Sequence, residues 1–400
     1  MRRILYLSYD GLSDPLGQSQ ILPYLLALAA QGNHICIISA EKKAAYQQRK
    51  ATLQALLLQQ EGRVEWQPVF YTKKPPVLST LWDMWKIYRK ALHLHKHFPF
   101  ELIHCRSYIA ALLGKRLAKR FAAKWIFDMR GFWADERVEG GLWPQSQLLY
   151  RFLYRFFKKQ EKILLEAADA SIVLTHQAAQ EIATWPIGLK QAPAVIPCCV
   201  DTRFFVPQGA VRPLQAPFRL VYLGSIGTWY LLHEMLDFFA CLLQQRPEAT
   251  FLFITTEAPQ SILAAAEAKG IQAEALTIRA AERSEIPALL ADCHASVFFI
   301  KPSYSKKASS ATKMGEILAM GLPVVANAAM GDHDYLFQAY PCGVLVQGFE
   351  PTQYHQALEA LLTLLESAPA QALRQTALDY FSLDEGVRRY AQVYQSLLPL

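Results

Sequence analysis

The sequence predicts two doubly wound α/β domains in tandem, and three observations carry that prediction. Short apolar runs alternate with helical patterns along the whole chain. The alternation stops once, in a proline-containing stretch after residue 205, and then restarts. Finally, 400 residues at 52 % hydrophobic composition are enough for two cores.

The chain opens with an apolar run at Ile4–Ser8, a glycine loop at Tyr9–Ser19, a helical pattern at Ile21–Ala30 and a second run at Ile35–Ser39 bounded by Gly32-Asn33. That order is one βαβ unit. Runs at Val64–Val69, Leu102–His104, Trp125–Phe127, Ala170–Leu174 and Ala194–Ile196 follow, separated by helical segments. Repeated alternation of this kind implies a mostly parallel sheet covered on both faces. The first domain is thus expected over 1–205 and a linker over 206–217 (VPQGAVRPLQAP). A second domain is expected over 218–380, with strands at Phe218–Leu223, Thr250–Thr255, Ser296–Ile300 and Pro323–Asn327. Helices are expected at Leu231–Gln245 and Thr312–Met320, and a terminal helix over 381–400. Ligands of such sheets bind beyond the carboxyl ends of the strands. Two sheets facing each other would make a cleft lined by Asp10–Ser19, Gly224–Tyr230 and Lys301–Thr312.

A formal charge of +7 suits phosphate-bearing substrates, an anionic membrane surface or nucleic acid, and does not choose among them. The seven cysteines form no CxxC pair and no short Cys/His cluster, so neither a disulfide framework nor a zinc site is expected, and a reducing, cytoplasmic setting is. The apolar stretch of MRRILYLSYDG is shorter than the roughly 7–15 residues of a signal-peptide core and reads as a first strand. Every leucine-rich stretch is broken by charged or amide side chains, so any membrane contact is expected to be peripheral.

The loop DGLSDPLGQSQ (Asp10–Gln20) precedes the first helix, and Gly11 and Gly17 allow it to turn sharply and leave amides for a diphosphate; a purely structural turn fits equally. GSIGTW (Gly224–Trp229) holds the equivalent place in the second domain, with Gly224 and Ser225 at the strand end. In KKASSATKMGEILAMGLPVVANAAMGDHDYL (Lys306–Leu336), Thr312 leads into a helix that Gly321-Leu322-Pro323 stops. Glu316 in its first turns suits two ribose hydroxyls, and Lys313, three residues earlier, suits a phosphate or the Glu316 carboxylate. A solvated Lys/Glu pair is the plain alternative.

In the first domain, IFDMRGFWADER (Ile126–Arg137) follows a strand and gathers Asp128, Arg130, Trp133, Asp135 and Glu136. Carboxylates, a guanidinium and an aromatic face together suit sugar hydroxyls and ring faces, whereas salt-bridged loop residues are the alternative. His104-Cys105-Arg106-Ser107 ends the preceding strand and lines the same edge, His104 being equally explained as a buried, hydrogen-bonded histidine. Trp143–Ala167 carries LLYR-FLYR-FFKK, which sets Leu148, Phe152 and Phe156 near one face of a helix and Arg151, Arg155 and Lys159 near another. Such a helix either lies on an anionic bilayer or packs on its own domain. Trp82–Arg89, with Trp85 and Tyr88, adds to either. No nucleic-acid-binding motif is present, so nucleic acid is not an expected partner.

The helix signature EILAMGLPVVAN resembles the E-A-M-A-x-G-x-P-V-V-A-x signature of retaining family-4 glycosyltransferases, and VIPCCVDTRFF resembles their V-I-P-N-G-V-D-x-x-x-F. The opening ILYLSYDGLSDPLGQSQILPYLLALAAQGNHICIIS and the closing LDEGVRRYAQVYQSLL are also similar to that family, so the resemblance spans nearly the whole chain. It implies the GT-B fold, two Rossmann-like domains facing across a donor-binding cleft, with the terminal helix crossing back onto the first. It implies a nucleoside diphosphate sugar as donor substrate with no cofactor, and transfer to a saccharide or lipid-linked acceptor with configuration retained. Donor binding falls on Gly17, Gly224, Ser225, Thr312, Lys313 and Glu316, acceptor binding on Arg106, Trp133, Asp135 and Glu136, and catalysis on Asp128 and Arg130; no metal site is expected.

The sequence also departs from the family. The earlier of two glutamates spaced eight apart is replaced by Ala308, the basic pair after the second domain's first strand is missing, and Asp128 stands where many relatives carry a histidine. Lys313, Lys301, Lys306 and Lys307 are the available substitutes for diphosphate neutralisation. A sugar-nucleotide epimerase and a non-catalytic nucleotide-sugar-binding subunit are the competing expectations.

Overall fold

The computed structural model describes residues 2–207, 213–214 and 216–398. The chain divides into two compact units, Met1–Pro197 with Gly386–Leu400, and Cys198–Glu385. The division falls after Pro197, ahead of the expected boundary at 205, so Cys198–Phe205 group with the second unit; residues 208–212 and 215 of the stretch 206–217 lie outside the described residues.

The first unit is built on a seven-stranded sheet: β1 (Arg2–Ser8), β2 (Asn33–Glu41), β3 (Val64–Phe70), β4 (Leu102–Arg106), β5 (Lys124–Asp128), β6 (Ala170–Val173) and β7 (Ala194–Val195). Its order is β3-β2-β1-β4-β5-β6-β7, every neighbour parallel, with Tyr6 opposite His104 and Arg106 opposite Asp128. Strand order reverses between β1 and β4, so the carboxyl ends of these two strands and of β5 flank the switch point at which such sheets receive ligands. The inner strands are buried on both faces, as continuous apolar runs such as Ile35–Ile38 require.

The second unit repeats the plan with β8 (Arg219–Leu223), β9 (Thr250–Ile254), β10 (Leu276–Arg279), β11 (Ala295–Phe298), β12 (Val324–Asn327) and β13 (Gly343–Val346), in the order β10-β9-β8-β11-β12-β13. The outermost strands, β10 and β13, had no counterpart in the sequence reading. Both are four residues long and only partly buried, so neither carries the unbroken apolar run that marks an inner strand.

The loop before the first expected helix also differs from expectation. The expected helix is present as Leu22–Ala30, but the loop before it contains a short helix of its own, Pro15–Gln20, with Ile21 between the two in neither helical nor extended geometry. Pro23 explains the break between them, because it lacks the N–H that would continue the ladder from the preceding turn. No helix among the described residues is long and apolar enough to cross a membrane.

Candidate functional site

In the second unit the helix Thr312–Ala319 begins without a side-chain cap, since Ala311 at the N-cap has no oxygen to offer. The Met314 amide turns back to the Ala311 carbonyl at 3.0 Å, which leaves the Thr312 and Lys313 amides for an outside acceptor, and the helix dipole favours an anion there. The far end is closed by Arg374, whose guanidinium donates to the Ala319, Phe205 and Thr202 carbonyls, the latter two at 2.7 and 2.8 Å. A cation at that terminus offsets the negative end of the dipole. Gly315 lets the helix lie close against Val200 and Phe381, which an added Cβ would meet at 3.1 and 3.0 Å.

Lys313 is buried with its ammonium inside an aromatic cage. Nζ lies 3.5 Å from the Tyr230 ring centroid, 4.2 Å from that of Tyr222 and 5.7 Å from that of Phe298, and donates to Tyr222 Oη at 3.1 Å. Ring faces stabilise a cation only in part. Burial pulls the Lys313 pKa down to about 7, although the Glu316 charge works against that fall. Glu316, one turn on, is mostly buried, and burial raises its pKa while Arg283 and Lys313 oppose the rise. Its Oε1 lies 3.7 Å from an Arg283 nitrogen. The carboxylate is thus approached by Arg283 instead of forming a close pair with Lys313. Arg283 was not anticipated; it also stands over Phe204 and Phe205, at 5.3 and 5.4 Å from their centroids.

The turn after β8 is shaped around the same ammonium. Gly224 has φ +112°, which favours glycine, and a Cβ there would come within 3.1 Å of Lys313 Nζ and press on that ammonium. Ser225 is exposed, and its carbonyl accepts from Tyr222 Oη at 2.6 Å. Of the substitute lysines, Lys301 is exposed, whereas Lys306 is buried with Nζ 3.7 Å from the Trp229 ring centroid and Lys307 stands over Tyr304. Ala308 is buried.

The first unit's loop is organised differently from the sequence reading. Gly17 lies in the helix Pro15–Gln20, and a Cβ there would sit 2.1 Å from the Gly11 carbonyl oxygen. Its smallness is needed for backbone packing. The amides of Leu12 and Ser13 donate to the carboxylate of Glu41 at 2.7 and 3.1 Å, and the hydroxyls of Ser13 and Ser39 donate to it too. Glu41 is wholly buried at the carboxyl end of β2. A lone glutamate closing an apolar strand was the only signal in the sequence that could have revealed it.

At the ends of β4 and β5 a buried polar cluster forms. Asp128 has no exposed surface; its Oδ2 accepts from Tyr390 Oη at 2.9 Å and lies 3.4 Å from His104 Nε2, while His104 Nδ1 lies 2.8 Å from Tyr394 Oη. Burial pushes the Asp128 carboxyl up, but Arg130, His104 and Arg106 together outweigh it and hold the pKa below the ordinary range. Burial holds His104 below the usual histidine value, with the Asp128 carboxylate opposing. Arg130 follows in left-handed geometry, φ +59°, with a nitrogen 3.9 Å from Asp128 Oδ1. Tyr390 and Tyr394 come from the last helix, and no local motif marked them.

Arg106 is buried, with Nε 3.5 Å from Asp10 Oδ2 and a second nitrogen donating to the Gln20 carbonyl at 3.4 Å. Asp135 accepts from Lys158 Nζ at 2.8 Å and Tyr154 Oη at 2.9 Å, and Lys158 also binds the buried Glu161. Trp133 packs among Tyr108, Trp143 and Phe157, with Arg137 above its ring at 4.7 Å. Glu136 and Trp133 keep partial exposure. Of the expected residues the structure therefore groups Gly224, Thr312, Lys313 and Glu316, and separately Asp128 with Arg130. Asp135 and Arg106 are held by their own neighbours. No group of three or more His, Cys, Asp or Glu arranged for a metal occurs among the described residues.

Comparison with known families places the chain. The chain matches the model described as glycosyl transferase 4-like domain over residues 19–199 and that described as glycosyl transferases group 1 over residues 212–376. The chain is a family-4 glycosyltransferase of the GT-B type. Solved structures agree in fold with this glycosyltransferase across nearly its whole length. A sucrose-phosphate synthase from Thermosynechococcus elongatus is 17 % identical with a TM-score of 0.70, covering 99 % of each chain. A glycosyltransferase from Rickettsia africae is 16 % identical with a TM-score of 0.71, covering 100 % of this chain and 99 % of its own. The Anabaena protein HepE in complex with UDP-glucose is 15 % identical with a TM-score of 0.67, covering 99 % of this chain and 100 % of its own. No curated protein matches the sequence.

Proposed function

We propose that this glycosyltransferase moves a sugar from a nucleoside diphosphate sugar to a hydroxyl of a glycan or lipid-linked saccharide, with anomeric configuration retained and no metal required, in surface polysaccharide or glycolipid synthesis. The work would take place in the cytoplasm, at the inner face of the cell membrane. The observation that carries the reading is the Lys313 ammonium, caged by Tyr222 and Tyr230 at the uncapped start of a helix, with Glu316 one turn away. A buried cation without a close carboxylate is costly, and a diphosphate would supply the missing charge.

In this reading Thr312, Ser225 and the helix amides receive the diphosphate together with Lys313, and Glu316 accepts the ribose hydroxyls. The bond from the anomeric carbon to the diphosphate breaks, and a bond to the acceptor oxygen forms on the same face. The acceptor proton passes to an oxygen of the leaving phosphate, whose growing charge Lys313 stabilises. Asp128, having no exposed surface, is assigned the placing of Arg130 and not proton transfer. Trp133 and Glu136 remain the acceptor contacts, with Arg106 and Asp135 shaping the loops behind them. Gly17 is assigned a packing role.

The test is a thermal-shift panel of nucleoside diphosphates and their sugars, starting from UDP and UDP-glucose, since a ligand of the folded state must raise its melting temperature. A nucleotide is expected to stabilise the wild type more than Glu316→Ala or Lys313→Met at the same concentration. Loss of donor sugar only when acceptor is present then separates transfer from epimerisation. A flat panel with every nucleotide overturns the reading.

A further inference from the structure

We infer that the first unit docks on an anionic lipid bilayer through one surface made by two helices, Leu78–His97 and Leu148–Ala167, together with the connection after β3. The inference rests on the reading above for its purpose, but not for its evidence.

The Leu148–Ala167 helix uses Phe157, Glu161, Leu164 and Leu165 against its own unit. Packing therefore accounts for one face only. On the opposite side Leu148 is 77 % exposed and Phe152 66 %, with Leu149 and Phe156 beside them. At 100° per residue these four cover an arc of about 100°; Arg151, Arg155 and Lys162 occupy the adjoining outward arc, and Lys159 lies at the edge where the two meet. An outward apolar stripe flanked by cations is the pattern of a helix lying in a membrane interface, not of one covering a core.

The Leu78–His97 helix repeats it. Leu78, Leu81, Trp82 and Trp85 are exposed, the two indoles stacked with centroids 4.7 Å apart, and Arg89 stands over Trp85. Just before it Phe70, Tyr71, Lys73, Lys74 and Val77 are exposed. Indoles favour the boundary between headgroups and acyl chains.

Topology brings the two together. Both helices are crossovers leading rightward in the sheet, from β3 to β4 and from β5 to β6, so right-handed connections put them on one face. The Ser107–Phe121 helix packs against both. Each runs back against its parallel strands, so their exposed amino-terminal turns share the carboxyl end of the sheet, the end at which Asp10, Arg106 and Arg130 lie.

Charge identifies the occupant. Residues 71–97 and 148–167 hold eleven Lys and Arg against three carboxylates; Asp83 and Glu161 are buried against Lys86 and Lys158, and Glu166 lies in the last turn of its helix, away from the exposed amino-terminal turns. A second copy of this chain would bring the same positive charge to the contact, whereas anionic lipid supplies the opposite sign and an apolar interior for the side chains between. Large apolar side chains grouped in this way on an exposed face call for a partner.

The experiment is cosedimentation of the purified full chain, without nucleotide, with vesicles of phosphatidylcholine alone or containing 30 % phosphatidylglycerol, alongside its sedimentation velocity in solution. Binding is expected only with the anionic vesicles. Arg151→Glu/Arg155→Glu/Lys159→Glu and, separately, Leu148→Ser/Phe152→Ser/Trp82→Ser/Trp85→Ser are each expected to weaken partitioning at least tenfold with an unchanged melting temperature. Equal partitioning of wild type and either variant overturns the proposal, as does an absence of vesicle binding by the wild type. So does a self-association that the apolar variant disperses while vesicles capture nothing. Because no nucleotide is present, this result and that of the donor panel can fail independently.

Discussion

The Lys313 ammonium faces the Tyr230 ring at 3.5 Å, and no carboxylate oxygen among the described residues lies within 4.0 Å of it. Replacing it with methionine removes the charge and keeps the length. Lys313→Met is expected to lower nucleoside diphosphate affinity by about 10- to 100-fold, the worth of one charge-assisted contact of roughly 1.5–3 kcal/mol. Isothermal titration measures the affinity. Thermal melting is expected to show no loss of stability, since an apolar side chain in place of an imperfectly compensated cation is neutral or favourable.

The same group sets a pH dependence. With the Lys313 pKa near 7 in the free protein and raised by a bound anion, diphosphate affinity is expected to fall by up to tenfold per pH unit from about 7 towards 9, and Lys313→Met should flatten that slope. The effect on folding has a definite sign. The unfolded chain holds this proton up to about 10.4 and the folded one only to about 7, so the unfolded state binds more protons across that window. The penalty of burying Lys313 is therefore full below pH 7 and is relieved as pH rises to about 10. Denaturant melts of wild type and Lys313→Met should converge over that interval.

Two glycine variants separate binding from packing. Gly224→Ala introduces a side chain at φ +112° beside Lys313 Nζ, with an expected loss of about 1–3 kcal/mol and weakened nucleotide binding. Gly17→Ala forces a Cβ onto the Gly11 carbonyl and the Leu12 backbone, so its melting temperature should fall whether or not nucleotide is present. Parallel melts with and without UDP distinguish them, because only Gly224→Ala should lose the ligand-induced shift while remaining folded.

Tyr390→Phe deletes the hydroxyl that donates to Asp128 and also lies 3.5 Å from an Arg130 nitrogen. An expected cost of about 1–3 kcal/mol follows from leaving a buried carboxylate one donor short. Arg130 would lose part of its anchorage too, so kcat should drop more than donor KM rises. Asp128 is held below the ordinary carboxylate range, so its contribution to stability is present above the unfolded pKa and lost as pH falls through the folded one. Acid denaturation of Asp128→Asn should accordingly be shallower than that of the wild type.

The sequence exposed the inner strands well, because each is an unbroken apolar run between turn residues, and the helix carrying Lys313 and Glu316 because Gly321-Leu322-Pro323 ends it sharply. It hid whatever depends on contacts distant in the chain. The edge strands β10 and β13 carry half-exposed patterns that resemble loop, and the six-residue helix Pro15–Gln20 is too short and too polar to stand out from the glycine loop around it. Within the site, Arg283 reaches Glu316 from 33 positions away, and Tyr390 reaches Asp128 from more than 260. Asp135 read as a sugar ligand by residue type alone, whereas Lys158 and Tyr154 already engage it.

The capture of the Leu12 and Ser13 amides by Glu41 has a further consequence. A strand-to-helix turn that elsewhere in such sheets stands open to an anion here carries its own, permanently attached to the neighbouring strand. A phosphate approaching this turn would meet a resident negative charge instead of vacant donors. Although the two units share one architectural plan, their equivalent turns have opposite electrostatic character: one is closed by an internal carboxylate, the other is held open around an ammonium. Exchanging Glu41 for a neutral residue would not merely loosen a loop; it would leave the Leu12 and Ser13 amides without the carboxylate that now occupies them.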